Sequence, residues 1–144
     1  MSPDRGGVFD ALLRLVRFGL GGRLGSGKQY VSWIHEVDFV RAVEFLIADR
    51  KIDGVVNVAS PNPVTNYEFL KKLREAWGIR IGLPATERML EIGALLLRTE
   101  TELILKSRRV VPGRLLSEGF AFEFPCWTAA ANDLVGQWRK PRNG

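Results

Sequence analysis

The segments able to form β-strands are few, short and far apart, and this spacing constrains the fold more than any other feature of the chain. Gln29–Ile34 reads as one strand, and Val55–Val58 as a second, a β-branched run between Gly54 and the turn-forming Ser60-Pro61-Asn62-Pro63. Phe120, Phe122 and Phe124 alternate as a third. Helical periodicity fills the intervals, which predicts an α/β arrangement. A doubly wound sheet needs more strands than these. The expected architecture is therefore a partial sheet with an attached helical lobe.

The helices can be placed from their apolar spacing. From Val8 to Leu20, the residues Phe9, Leu12, Leu13, Val16 and Leu20 form one stripe, with Arg14 and Arg17 opposite. Glycines 19, 21 and 22 then supply a stop. A second helix over Glu36–Asp49 is expected to bury Phe39, Val43, Leu46 and Ile47. A third begins at a capping box formed by Thr65 and Glu68, stapled by Val64 and Phe69, and continues its buried face through Leu73 and Trp77. Further helices are expected over Ala85–Leu97 and Thr128–Trp138. Thr101–Arg108 is ambiguous. Pro112 suits the first turn of a short helix with Leu115 and Leu116 inward and Gly119 as its stop.

Composition narrows the function classes. A length of 144 residues is the size of one domain, and 46% apolar content argues against disorder. One cysteine, Cys126, cannot form an internal disulfide, and this usage predicts a cytoplasmic protein. With a single histidine, no metal cluster is expected. No apolar run approaches the roughly 20 residues of a membrane span, and the first residues lack a signal-peptide pattern. The net charge of +5 comes from basic residues interleaved with acidic ones, without a nucleic-acid-binding motif, so neither nucleic acid nor membrane is expected as a partner.

Two glycine patterns invite a nucleotide reading and fail on context. Gly22 to Lys28 spells G-x-x-x-x-G-K, but Gln29 stands where a metal-binding Ser or Thr belongs, and the loop follows a helix rather than a strand. Gly19, Gly21 and Gly25 miss the dinucleotide spacing by one residue.

Three segments together resemble one family, the epimerase-like (NAD-dependent epimerase/dehydratase) extended short-chain dehydrogenases/reductases. Trp33-Ile34-His35 with Asp38 looks like the W-I-H-x-x-D junction between a strand and a helix. Asn57 to Asn66 with Phe69 resembles an N-x-x-x-P-N-P-V-T-N-x-x-F segment. Ser107 to Pro112, Arg114-Leu115-Leu116, Gly119-Phe120 and Phe122 to Pro125 resemble the short C-terminal domain of unknown function. Ser2 to Gly7 is similar to the stretch before the first helix of that half. The resemblance implies a substrate-side half of a Rossmann-type enzyme, whose N-terminal dinucleotide-binding half is not among these residues. It divides the chain into residues 1–82, a remnant of the epimerase-like domain, and 83–144, the short family domain, packed as one unit.

The same resemblance implies NAD or NADP for full-length members, and no cofactor bound by this chain alone. The catalytic Tyr-x-x-x-Lys pair of the family has no counterpart in the right segment. Tyr67 and Lys71 have the spacing but lie inside the capped helix, so no catalytic residue is assigned. Cys126 replaces the Ser or Thr that caps the last helix in relatives, so that helix should start weaker. Candidate substrate-binding residues are Trp33, His35, Asn57, Asn62, Asn66, Arg108 and Arg109. His35 could do acid–base chemistry, or it or Asp38 could fix the helix start. The asparagines could read a polar ligand or satisfy turn backbone. Arg108 and Arg109 could clamp a phosphate or lie solvated at the surface. The expected partners are an N-terminal Rossmann half or a second copy of the chain. The other reading is a non-catalytic ligand-binding or protein-interaction module.

Overall fold

The computed structural model describes residues 1–48, 52–84 and 107–140. The helix expected over 85–97 and most of the ambiguous 101–108 segment lie outside these residues. Among the described residues, no helix is long and apolar enough to cross a membrane.

Helix α1 (Val8–Arg17) buries Phe9, Leu12, Leu13 and Val16 as its stripe predicts, and also Asp10, Ala11 and Leu15. It ends before Leu20, where Gly19 takes a φ of +81° that a side chain would strain. Strand β1 (Tyr30–Val31) pairs antiparallel with β2 (Val64–Thr65), Tyr30 opposite Thr65 and Val31 opposite Val64. The expected six-residue strand is thus reduced to two residues. Along the other edge of β1 runs Ser107–Val110, joined partly through side chains. Arg108 N donates to Tyr30 O, the Ser107 hydroxyl accepts from Tyr30 N, and Ser32 Oγ donates to Arg108 O while accepting from Val110 N.

Two expected strands are absent. Val55–Val58 forms no strand, and Val55 is 91% exposed. A strand exists only by pairing, and no described segment lies beside this one to exchange backbone bonds. Phe120–Phe124 is not a strand either. Its amides at Glu123 and Phe124 donate instead to the two carboxylate oxygens of Asp38.

Helix α2 (Glu36–Ala48) reverses the expected burial. Phe39, Val43 and Ile47 are exposed, Ile47 at 74%, and Leu46 is half-buried. The buried side carries Asp38 and Ala42, with Phe45 and Leu46 against a small cluster built on Leu115 and Phe120. The helix is apolar nearly all round, so periodicity alone does not select a face.

Helix α3 (Asn66–Trp77) starts as predicted: Thr65 Oγ1 accepts from Glu68 N, and Glu68 accepts from Thr65 N. It stops at Gly78 in the left-handed conformation. Pro112 immediately precedes α4 (Gly113–Ser117) rather than lying within its first turn. Leu115 is buried there, but Leu116 is 48% exposed, because successive residues on a helix cannot face one neighbour. Gly119 ends the segment at a φ of +83°. Helix α5 (Trp127–Arg139) lays Trp127, Ala130, Ala131 and Leu134 into the main core. As expected, Cys126 offers its first turn no side-chain cap. The Trp127 ring stacks on Phe69 at 3.9 Å, and its Nε1 donates to Phe69 O, which fixes α5 on α3. The main core lies between α1, α3 and α5.

Candidate functional site

The sheet edge and the start of α1 leave between them a cleft of about 650 Å³. Phe9 and Leu12 reach it from α1, Phe69 from α3, and Val31, Trp33 and Ile34 from the β1 segment. Burial of Phe9, Leu12, Trp33 and Phe69 within the core gives these walls a fixed shape. Ser2 and Asp4 reach the cleft from the stretch before α1, and Arg108 and Val110 from the segment beside β1. A volume of this order suits a small organic ligand.

Of the seven candidate residues, Trp33, Asn66 and Arg108 meet at the cleft, and the other four do not. Trp33 is buried, packs edge-on to Trp127 and donates Nε1–H to Asn62 O. Asn66 accepts from Leu24 N through Oδ1 and donates its own N–H to Gln29 O, so it anchors the preceding loop. Arg108 is held by its backbone, and its guanidinium has no hydrogen bond or ion pair among the described residues. Arg109 instead lies over the Tyr30 ring, 5.0 Å from its centroid. Asn62 donates from Nδ2 to Pro125 O, the backbone role expected of a turn asparagine. Asn57 is exposed and does not line the cleft, although the next two residues do.

His35 is fully buried behind the cleft wall. Its Nδ1 accepts from Val37 N at 3.2 Å, so the ring hydrogen belongs on Nε2, which faces Asp133 at 3.1 Å. Phe124 stacks on the ring at 4.0 Å. Asp133 also accepts from Gln137, within α5. The sole histidine thus holds the start of α2 to α5. Asp38, which could have bonded its own helix start, grips residues 123 and 124 instead. Asp133 lies 98 residues from His35, and no local pattern marks it. Ser32 and Ser107 were equally invisible in sequence, since their hydroxyls matter only once the two segments meet.

The glycine loop is closed by the chain itself. Gly22 N donates to Leu83 O and Leu83 N to Gly19 O. A Cβ at Gly22 would lie 2.5 Å from Leu83 O, and one at Gly21 would lie 2.8 Å from the Arg74 stem. The space at Gly21 and Gly22 is thus filled by Arg74 and Leu83. The Gly22 amide is taken by Leu83 O, the Leu24 amide by Asn66 and the Gly27 amide by Leu24 O, so this loop is not an open diphosphate cradle. Among the described residues, no glycine-rich turn runs from a strand into a helix. Nor does any group of three acidic, histidine or cysteine residues assemble as a metal site. The described residues therefore supply no glycine-rich turn of the kind that holds a dinucleotide.

Residues 86–134 match the family described as a domain of unknown function (DUF1731). The human epimerase family protein SDR39U1 is 32% identical over 130 residues, 90% of this chain and 44% of that protein. This chain corresponds to the C-terminal portion of an epimerase-like protein. An epimerase family protein of Mycobacterium bovis is 40% identical over 125 residues, covering 85% of the epimerase-like chain and 40% of the relative. The crystal structure of human SDR39U1 (isoform 2) with NADPH superposes with a TM-score of 0.79 at 31% identity, over 92% of this chain and 44% of that one. A nucleoside-diphosphate sugar epimerase from Corynebacterium glutamicum gives a TM-score of 0.67 at 28% identity, over 92% of this chain and 24% of that one. The epimerase-like chain therefore spans less than half the length of these relatives.

Proposed function

We propose that this chain is the substrate-side portion of a nicotinamide-dependent epimerase- or oxidoreductase-like protein and performs no redox step alone. The carrying observation is a formed, apolar-walled cleft in a chain whose described residues offer the cofactor no cradle. The human relative's structure with NADPH supports NAD or NADP as the cofactor of a complete protein. An N-terminal Rossmann half, corresponding to the additional length of the relatives, would hold it. When bound, that group would supply the hydride chemistry. Residues of this chain would shape the cleft: Trp33 as wall, Asn66 as loop anchor and Arg108 as a charged group at the ligand. Residues 1–82 and 83–144 act as one unit in this reading, because Phe69 and Trp127 join them. The lone Cys126 suits a cytoplasmic setting.

Calorimetry with NADPH and NADH tests the reading. The chain alone should show no micromolar binding of either, and binding should appear when a family N-terminal half is co-purified. Micromolar binding by the isolated chain would overturn the proposal. One observation favours a second reading, a protein-interaction module: the exposed apolar side of α2. If this chain captured no N-terminal half from a relative, that reading would replace the first.

A further inference from the structure

The polar groups of the cleft are unevenly committed, and this bears on what it takes. Ser32 spends its hydroxyl on Arg108 O and Val110 N, and Trp33 spends its indole N–H on Asn62 O. Asn66 spends Oδ1 on Leu24 N. Asp4, the carboxylate among the described lining residues, already accepts from the Ser2 hydroxyl. Arg108 is the cation among the described lining side chains, and its guanidinium is without a described partner. Its position is nevertheless set, because its N–H bonds Tyr30 O and its carbonyl accepts from Ser32. Most of the remaining wall is hydrocarbon and aromatic, from Phe9, Leu12, Val31, Ile34, Val58 and Phe69; the Tyr30 phenol adds a hydroxyl, and the Met1 ammonium is committed to Ile34 O.

We infer that the cleft takes a small molecule with an apolar body and a single anionic head, the body against Phe9, Leu12 and Phe69 and the head on Arg108. A polyhydroxylated sugar would bring many groups that need partners, and an unpartnered polar group taken out of water is costly. An aliphatic or aromatic body loses nothing there and gains by leaving water. A carboxylate or phosphate head gains a charge-assisted, two-pronged bond to guanidinium. Arg109 does not share this role, since it covers Tyr30. This inference rests on reading the cleft as the substrate side and names the substrate class for it.

Decanoate, 1-decanol and UDP-glucose, titrated into the full chain below the micellar range, form the test. Decanoate should bind, decanol should bind about tenfold more weakly, and UDP-glucose should not compete. Arg108→Gln should weaken decanoate about tenfold and leave decanol unchanged, while Arg108→Lys recovers part of the loss. Arg109→Gln should leave both ligands unchanged. Circular dichroism checks that each variant is folded. For the unmodified chain, raising salt should weaken decanoate and not decanol, a readout independent of any variant. Equal affinity for decanoate and decanol, an Arg108→Gln variant that binds decanoate normally, or displacement by UDP-glucose would overturn the inference. Failure of the substrate-side reading would appear separately, as NADPH binding to the isolated chain.

Discussion

Removing the Asp38 carboxylate should unfasten the 120–125 segment from α2 at a cost of about 3 kcal/mol. The side chain is fully buried, and its two oxygens accept from Glu123 N at 2.7 Å and Phe124 N at 2.8 Å. Arg41 adds a third contact at 3.1 Å but is 40% exposed, so solvent screens it and its share is small. A hydrogen bond to a charged group contributes roughly 1.5–3 kcal/mol, and the two backbone bonds share one carboxylate and do not add fully. Asp38→Ala leaves two amides without acceptors. Asp38→Asn keeps the volume but turns an NH₂ toward one of them, so it should lose nearly as much. Arg41→Ala should cost under about 1 kcal/mol.

Urea denaturation followed by circular dichroism gives the free energies. For a chain of this size, 3 kcal/mol lowers Tm by roughly 10 °C. Hydrogen exchange supplies the local readout, because the Glu123 and Phe124 amides should lose protection ahead of those in α3. An Asp38→Asn variant within about 0.5 kcal/mol of the parent, with those amides still protected, would refute the reasoning. The segment would then be held by the packing of Phe120 and Phe124 and by the bonds of Ser60 and Asn62 to the Pro125 carbonyl.

Thr65→Ala should lower stability by roughly 0.5–2 kcal/mol, because it removes the acceptor for Glu68 N, and an unchanged urea midpoint would place the start of α3 elsewhere. Cys126→Ser should raise stability by about 0.5–1 kcal/mol, since the extended backbone there suits a capping hydroxyl that cysteine does not supply. Burial opposes ionisation of Asp10, but Gly6 N, the Trp138 indole and Arg14 outweigh it and hold the carboxyl below its ordinary value. Its contribution is therefore complete above the unfolded value of about 3.9 and falls away as pH drops through the lower folded value; Asp10→Asn should flatten that part of the acid stability profile. Ile47→Glu with Val43→Glu should reduce self-association and hydrophobic-dye binding in light scattering and fluorescence, and a dye-silent monomeric parent chain would show that the exposed side of α2 is harmless.

What the sequence disclosed depended on how local the determining contacts are. The capping box at Thr65 and Glu68, the stops at Gly19 and Gly119, and the stripe of α1 involve residues a few positions apart. Strands are different, because Val55–Val58 has strand-like residues but no described neighbour with which to pair. The same holds for α2, where both faces are apolar and only the position of Leu115 and Phe120 decides which is buried. At the site, sequence gathered seven candidates, but the cleft received only Trp33, Asn66 and Arg108 of them. His35 looked chemical because it is the sole histidine. Its partner Asp133 shows it to be a fastening, and that partner comes from a helix 98 residues away.

The Trp33-Ile34-His35 and Asp38 segment can be understood as a distributor of contacts rather than as a reactive motif. From one short junction, Trp33 reaches Asn62, His35 reaches Asp133 in α5, and Asp38 reaches Glu123 and Phe124. Each polar bond ends on a different segment, while Trp33 and Ile34 also turn a surface to the cleft. The wall beside a ligand is therefore held by three distant parts of the chain. The core between α1, α3 and α5 closes on itself, whereas α2 and Val55 keep apolar groups in water on the other flank. Under the proposed reading the rigid cleft is the feature that serves a cofactor-holding half. The exposed apolar side of α2 is the feature on which the two readings differ, since an interaction module would use it and the cleft would not need it.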